Sequence, residues 1–498
     1  MYHSTPRTPE PGHRSPRRGR VPAVLATTCA LALGATAVGA ATSASDRTDA
    51  TAIAASAEQS AAQDSASVWM TTPDRSHTLT QQDDVSFTSS PEDIDIAVDD
   101  DQREQTFTGA GASVTEASAQ LISELPEGER DELMATLFSP EDGIGLSYLR
   151  QPLGSTDFNA GDFYTYEDTP GEFSIDRDRQ EIIPVVQQAL EHNPDIRFMG
   201  SPWSPPAWMK TGGSLNGGGL DPDHYEDYAD YLVNAIEAYA DEGIDLADLT
   251  MQNEPLLDTD YPSTYVPADE QAAFFHVLDE ALTEAGLDTD LYAYDHNWDE
   301  PEYPLEVFEG TEGIDRVQGA AFHCYAGDPS AQSEVVDVGK RVYFTECSGS
   351  GDGPDDEVFS DTLWWQSEHL VVGNMRNGGE TTVTWNLALD ADGGPHQGNC
   401  EDRCTGVVEI DGSDITYNGE YYVLGHLAGF VEPGATRIGS TSEGSGGVQN
   451  VVFENPDGGK TAFVVNADTE EDHTFSVTED GASLSYTLPA GSVATFTW

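Results

Sequence analysis

The chain is poor in positive charge: its 498 residues carry 21 lysines and arginines against 90 aspartates and glutamates, a net charge of −69 at pH 7. Lysine is nearly absent, with only Lys210, Lys340 and Lys460. A surface this acidic repels polyanions, which argues against nucleic acid or an anionic membrane surface as a partner. Cysteine is scarce too, five in all, and none stands in the paired spacing of a zinc site. Outside the N-terminal segment no apolar run is long enough to span a bilayer. Self-repulsion on this scale strains a compact state at low salt, so the expectation is a salt-adapted protein.

What is present begins with that N-terminal segment. Arg14, Arg17, Arg18 and Arg20 precede an Ala-rich apolar run from Val21 to about Ala41, and Ala-x-Ala-like sites follow near Ala40 and Ala44. Residues 1–45 read as an export signal, and the rest as a secreted protein without stable membrane insertion. The Arg17-Arg18 pair suggests the twin-arginine route, although the residues after it fit poorly; an uncleaved anchor is the alternative. Removal of the segment leaves 16 basic against 89 acidic side chains, a balance of −73. Cys29 leaves with it. Cys400 and Cys404 lie close together in a polar loop and have the spacing for a small disulfide, as an exported protein allows.

Residues 46–66 lack apolar periodicity and are expected to be a flexible linker. Residues 67–105 hold short strand-like runs. From 106 to 414 strands and amphipathic helices alternate, with eight strand candidates ending near Ala112, Leu153, Ser201, Asn253, Asp295, Tyr325, Glu346 and Leu387. That count predicts an α/β fold, a (β/α)₈ TIM barrel. After about residue 415 helices are expected to vanish, and alternating runs through Trp498 predict a β-sandwich side domain formed from both chain ends.

In such a barrel the working residues lie at the C-terminal strand ends. Strand two ends at Arg150, followed by Asp157; strand three at Trp203; strand four at Asn253-Glu254; strand six at His323-Cys324-Tyr325; strand seven at Glu346-Cys347; strand eight at Trp385-Asn386. Glu254 and Glu346 follow apolar strands that face each other across the barrel mouth, where two carboxyls can flank one sugar. Retaining glycoside hydrolysis needs one as nucleophile and one as acid/base, about 5–5.5 Å apart. Arg150 and Tyr325 are placed to keep Glu346 ionised, and an apolar setting near Trp203 is expected to keep Glu254 protonated. Asn253, Asp157, His323 and Asn386 are candidates to bind sugar hydroxyls. Trp203, Trp208, Trp298 and Trp385 offer flat faces to a pyranose. Cys324 and Cys347 alternate with site residues and are expected to pack away from the barrel axis; they lie on adjacent strands, but spacing alone implies no bond.

The motifs Gly109-Ala-Gly-Ala-Ser-Val-Thr-Glu116, Leu149-Arg-Gln-Pro152, Thr156-Asp-Phe158, Ser201-Pro-Trp-Ser-Pro-Pro-Ala-Trp208, Gln252-Asn-Glu-Pro255, His323-Cys-Tyr325, Thr345-Glu346 and Thr384-Trp-Asn-Leu-Ala-Leu389 cover every barrel strand but the fifth, in order. Through them the chain resembles glycoside hydrolase family 30, which includes the glucosylceramidases. The resemblance implies a secreted retaining β-glycosidase with Glu254 as acid/base and Glu346 as nucleophile, no metal and no cofactor, acting on a carbohydrate or glycolipid. The loop Asp390-Ala-Asp-Gly-Gly-Pro395 is similar to the glucosylceramidase type, which points to β-glucosidic bonds. A β-1,6-glucanase, galactanase or xylanase of the same family is the alternative, and a non-catalytic carbohydrate-binding protein is the reading from another class.

The charge balance makes a direct prediction: Tm rises as sodium chloride is raised from about 0.1 M to about 2 M, because screening relieves carboxylate repulsion. Thermal unfolding at a series of salt concentrations checks it, and an optimum at low ionic strength would refute salt adaptation.

Overall fold

The computed structural model describes residues 65–398, 400, 403–442 and 447–498. The expected export signal and nearly all of the expected linker lie outside them. Eight parallel strands form a ring in chain order: Gly109–Ser113, Tyr148–Pro152, Arg197–Ser201, Leu246–Thr250, Asp290–Asn297, Val317–His323, Arg341–Glu346 and Thr381–Asn386. Strand eight pairs with strand one from Thr381↔Gly109 onward. The seam between seven and eight is closed by a bridge between Val342 and Gly379. There the Thr381 hydroxyl also accepts from the Phe344 amide and donates to the Phe344 carbonyl, both at 3.0 Å.

Most strand residues are buried on both faces, which is why their sequences read as apolar runs rather than alternations. Inside the ring, Tyr148, Met199, Tyr292, Ala321, Tyr343 and Val383 pack into a plug. Tyr292 and Tyr343 stack at 4.1 Å between ring centroids. The hydroxyl of Tyr148 donates to Asp248, which Arg197 also holds. This plug is a rigid floor beneath the upper strand ends.

The helices around the ring follow local rules. Thr115 caps Glu116–Glu124 by accepting from the Ser118 amide. The segment before strand three forms two helices, Asp176–Glu181 and Ile183–His192. Pro184 sits in the first turn of the second, where its missing N–H costs nothing and where a new helix naturally begins. A helix Gly419–Ala428 stands where helices were expected to have ended. It packs between the first barrel strand and the last sandwich strand, so it carries no polar face for a period of 3.6 to reveal.

The sandwich joins both ends of the described chain. Ser65–Thr71, which begins inside the stretch expected to be linker, pairs antiparallel with Val493–Thr497. Asp95–Thr106 pairs with Thr436–Ser440 at one end and with His473–Glu479 at the other, linking the layers. Val68, Ile96, Ile438, Val452, Phe475 and Phe496 are among the buried core. Among the described residues no helix is long and apolar enough to cross a membrane.

Arg376 fastens the sandwich to the barrel. It donates to the Asn450 carbonyl at 2.6 Å, and to the Ser440 hydroxyl and the Asn450 side chain at 2.8 and 2.9 Å. Arg376→Met leaves these buried acceptors unpaired, and a loss of about 2–4 kcal/mol is expected in denaturant unfolding. A cost under about 0.5 kcal/mol would show that water replaces the guanidinium.

Candidate active site

The upper strand ends converge on a cluster of charged side chains. Its least expected member is Asp295 at the end of strand five, fully buried and bonded to five donors. Its Oδ2 accepts from Arg150 at 2.7 Å and from the Ser201 and Thr250 hydroxyls at 2.8 Å each. Its Oδ1 accepts from Thr345 at 2.7 Å and lies 3.0 Å from His323 Nε2. Burial alone would raise its pKa, but Arg150 and His323 hold it well below the usual carboxylate range.

Arg150, buried completely, carries that anchor to the carboxylate pair. Its Nη1 donates to Glu346 Oε2 at 2.6 Å, and its Nη2 reaches Asn253 Oδ1 at 2.7 Å. Asn253 therefore presents its amide nitrogen, not its oxygen, as the group free for a ligand. The second oxygen of Glu346 accepts from the Tyr325 hydroxyl at 2.9 Å. Tyr325 as a residue is 46% exposed, so this contact stands at the mouth of the site. Carboxylate oxygens of Glu254 and Glu346 and a ring nitrogen of His323 lie within 4.8 Å of one another. These atoms have the reach to ligate an ion. Their existing bonds, and the guanidinium on Glu346, oppose a dication there.

The apolar setting expected for Glu254 near Trp203 is not found. Trp203 instead stacks on Trp385 at 4.9 Å and lies beneath the Arg150 guanidinium at 4.8 Å. Glu254 faces His323 Nδ1 at 3.3 Å and His296 Nε2 at 3.8 Å. Burial pushes the Glu254 carboxyl up, but the His323 hydrogen bond and both imidazoles outweigh it, so the group lies below its ordinary range. At Glu346 burial, helped by the charges of Glu254 and Asp295, outweighs His323 and Arg150 and raises the carboxyl. The two titrate as one unit. Burial would lower the His323 pKa, yet Glu346 and Asp295 raise it to about 9.

The remaining candidates divide. Asp157 is buried with Oδ1 unpaired, and burial with the charges of Glu346 and Glu254 pushes its carboxyl well above its usual range. Asn386 accepts from Thr115 at 2.8 Å while its Nδ2 is buried and unpaired. Both have hydrogen-bonding capacity left for a ligand. Trp298 is stacked on Phe344 and donates to Gln332, and Trp208 donates to the Glu167 carbonyl; the structure does not place either indole beside the carboxylates. Cys324 and Cys347, for which spacing left a bond open, are joined in a disulfide with Cα atoms 5.4 Å apart, and Cys400–Cys404 is a second.

Asp295, His296 and Tyr261 were missed. Tyr261 is buried with Trp203 and Trp385 and near enough to Asp157, Glu254 and Glu346 to feel their charge. The polar run Asp295-His296-Asn297 after Tyr292-Ala-Tyr294 carried the signal that marked the other strand ends. Backbone conformation carried more: Glu254, Tyr294 and Asp295 all have φ between 47° and 76°, a region costly for side-chain-bearing residues and concentrated at functional sites.

A (β/α)₈ barrel with paired carboxyls at facing strand ends is the architecture of an O-glycoside hydrolase. The glycosyl hydrolase family 30 TIM-barrel domain matches residues 107–431, and the family's beta sandwich domain matches 434–496. The chain belongs to that family and is a β-glycosidase. It is 30% identical to the endo-1,6-beta-D-glucanase neg1 of Aspergillus fumigatus, over 80% of this chain and 87% of that one. It is 26% identical to the lysosomal acid glucosylceramidase of Mus musculus, over 81% and 83%. A solved endo-beta1,6-glucanase superposes with a TM-score of 0.80 at 31% identity, covering 87% of this chain and 99% of that one.

Because the folded His323 value lies above its ordinary 6.5, its contribution to stability is complete below about pH 6.5 and is lost as pH rises through about 9. Asp295→Asn is expected to cost about 3–5 kcal/mol by stranding Arg150 and to lower kcat/KM about 10²- to 10³-fold. In that variant the alkaline loss of stability moves to lower pH. Unfolding between pH 6 and 10, with kinetics on a β-glucoside, checks both; an unchanged alkaline limb would remove Asp295 from the network.

Proposed function

We propose that the chain is an exported, retaining endo-β-1,6-glucanase in which Glu346 is the nucleophile and Glu254 the acid/base. The observation that carries retention is the spacing of the two carboxyls, within 4.8 Å at their nearest ligand atoms. Inversion needs roughly 6.5–9.5 Å to admit a water between them. In the first step Glu346 attacks the anomeric carbon while Glu254 gives its proton to the departing O6 of the next glucose. In the second, Glu254 takes a proton from water, whose oxygen attacks the anomeric carbon and releases Glu346. Arg150 and Tyr325 hold Glu346 in line and stabilise it as it leaves again as a carboxylate. In the free site His323 draws the Glu254 carboxyl toward its ionised form. Substrate places a neutral glycosidic oxygen on Glu254 and a developing positive centre on Glu346, which favours the single proton on Glu254.

Asn253 donates to the glucose 2-OH. Asp157 and Asn386 bind further hydroxyls through their unpaired atoms, while His323, with both ring nitrogens engaged, orients Glu254, and the stacked Trp203 and Trp385 support Arg150 from beneath. Three observations favour a glucan over a glycolipid. Relatives named as endo-1,6-glucanases reach 32% identity. Among the described residues the exposed large hydrophobics are Tyr265, Tyr325, Val336 and Val338 alone, few to meet a lipid surface. The strong negative charge also opposes approach to an anionic bilayer.

Glu346→Gln is expected to lower turnover of linear β-1,6-glucan by more than about 10³-fold. Glu254→Gln keeps attack on an activated nitrophenyl β-glucoside, and azide restores its turnover as the β-glucosyl azide. An azide adduct of α configuration would refute retention. Glucosylceramide cleavage without glucan cleavage in molar salt would refute the substrate.

A further inference from the structure

The backbone ladder between strands six and seven ends at the pair His323↔Glu346, after a bulge at Phe322. The next residue on each strand is a cysteine, and the Cys324–Cys347 bond extends the ladder by one covalent rung. Its two halves are held unequally. Cys347 is buried, and its carbonyl accepts from the Trp385 amide at 2.9 Å, which ties it to strand eight. Cys324 is half-buried and leads directly into Tyr325. Tyr325 stands at the mouth of the site, with its amide donating to Asn297 Oδ1 at 3.1 Å and its hydroxyl donating to Glu346 at 2.9 Å. Past the last ladder pair, then, the disulfide is the stiffest link between this tyrosine and the carboxylate it serves.

We propose that Cys324 and Cys347 are positioning residues. Their bond fixes the Tyr325 hydroxyl on Glu346, and opening it costs catalysis before it costs the fold. This rests on the assignment of Glu346 as nucleophile. A hydrogen bond to a carboxylate contributes only when donor and acceptor are held in line, and the gain from holding it is entropic, as for any constraint placed before the reaction. The local chemistry is simple. A dithiol reductant gives up two electrons and two protons and becomes a cyclic disulfide, while Cys324 and Cys347 become thiols. With Tyr325 free to swing outward, Glu346 loses one of its two donors and keeps Arg150. Its carboxyl pKa therefore rises, and the acidic limb of kcat/KM moves to higher pH.

The test uses the full chain with Cys324→Ser and Cys347→Ser together, on an aryl β-glucoside that the unmodified protein hydrolyses. Activity of the unmodified protein is measured first: its absence overturns the assignment of Glu346 and this inference with it, whereas a loss confined to the substituted chain reports on the bond alone. The expected result is a kcat about tenfold lower with KM nearly unchanged and the acidic limb displaced upward. The decisive arm repeats the pair of substitutions in Tyr325→Phe. If the bond acts through the tyrosine hydroxyl, the further loss there is under about twofold. An equal loss in both backgrounds, or a doubly substituted protein with the original kcat and pH profile, overturns the proposal. Should the variant fail to fold, dithiothreitol is added to folded protein carrying Cys400→Ser and Cys404→Ser. A reversible fall in kcat with retained ellipticity supports the inference, and unaltered kcat with both thiols titratable refutes it.

Discussion

One carboxylate organises the upper end of the barrel. Asp295 sits on strand five and is bonded to Arg150 from strand two, Ser201 from strand three, Thr250 from strand four, His323 from strand six and Thr345 from strand seven. A parallel barrel fixes its strands by backbone ladders, but ladders alone leave the strand ends free to splay. Five charge-assisted bonds to one buried anion remove that freedom, and they set the rotamers of the guanidinium and the imidazole that reach the carboxyl pair. The left-handed backbone at Tyr294 and Asp295 is the cost of turning this side chain inward, and the same bonds hold it there.

The electrostatics of the site run opposite to those of the molecule. Outside, carboxylates face solvent with few cations to pair them, and counterions must do the screening. Inside, Arg150 and His323 stand among Asp295, Glu254, Glu346 and Asp157 with every group largely buried. The four carboxyls respond unequally: burial, with the neighbouring charges, raises Asp157 well above its usual range and Glu346 above its own, while the histidines and Arg150 hold Glu254 and Asp295 below theirs. Neighbouring carboxyls with opposed shifts exchange a proton readily when the charge around them changes. That is the condition a two-step mechanism needs, because the same glutamate must give a proton and then take one back.

The barrel was legible because each strand, buried on both faces, is an apolar run that ends in polar residues, and Glu254 and Glu346 could be found by their place at those ends. What the sequence hid was contact made across the ring. Asp295 follows an apolar strand as Glu254 does, but nothing linear announces that five strands reach for it. The setting of Glu254 was misjudged for the same reason. Trp203 lies close in motif space, yet its face is taken by Arg150 and Trp385, while His296 and His323 arrive from strands five and six. The helix Gly419–Ala428 escaped because it is buried between two domains and so lacks the polar stripe on which periodicity depends.

The disulfides belong to the same economy of charge. A protein with 21 basic against 90 acidic side chains leaves most carboxylates without a cation to pair, and molar salt weakens the exposed pairs it does form. A covalent bond is indifferent to ionic strength. Placed one residue beyond both His323 and Glu346, it holds the edge of the site where the Tyr325 hydroxyl meets Glu346. Buried networks such as that of Asp295 are shielded from salt by depth, and the rim is shielded by chemistry. The two devices meet at Glu346, with Arg150 holding one oxygen from below and Tyr325 holding the other from the cross-linked edge above.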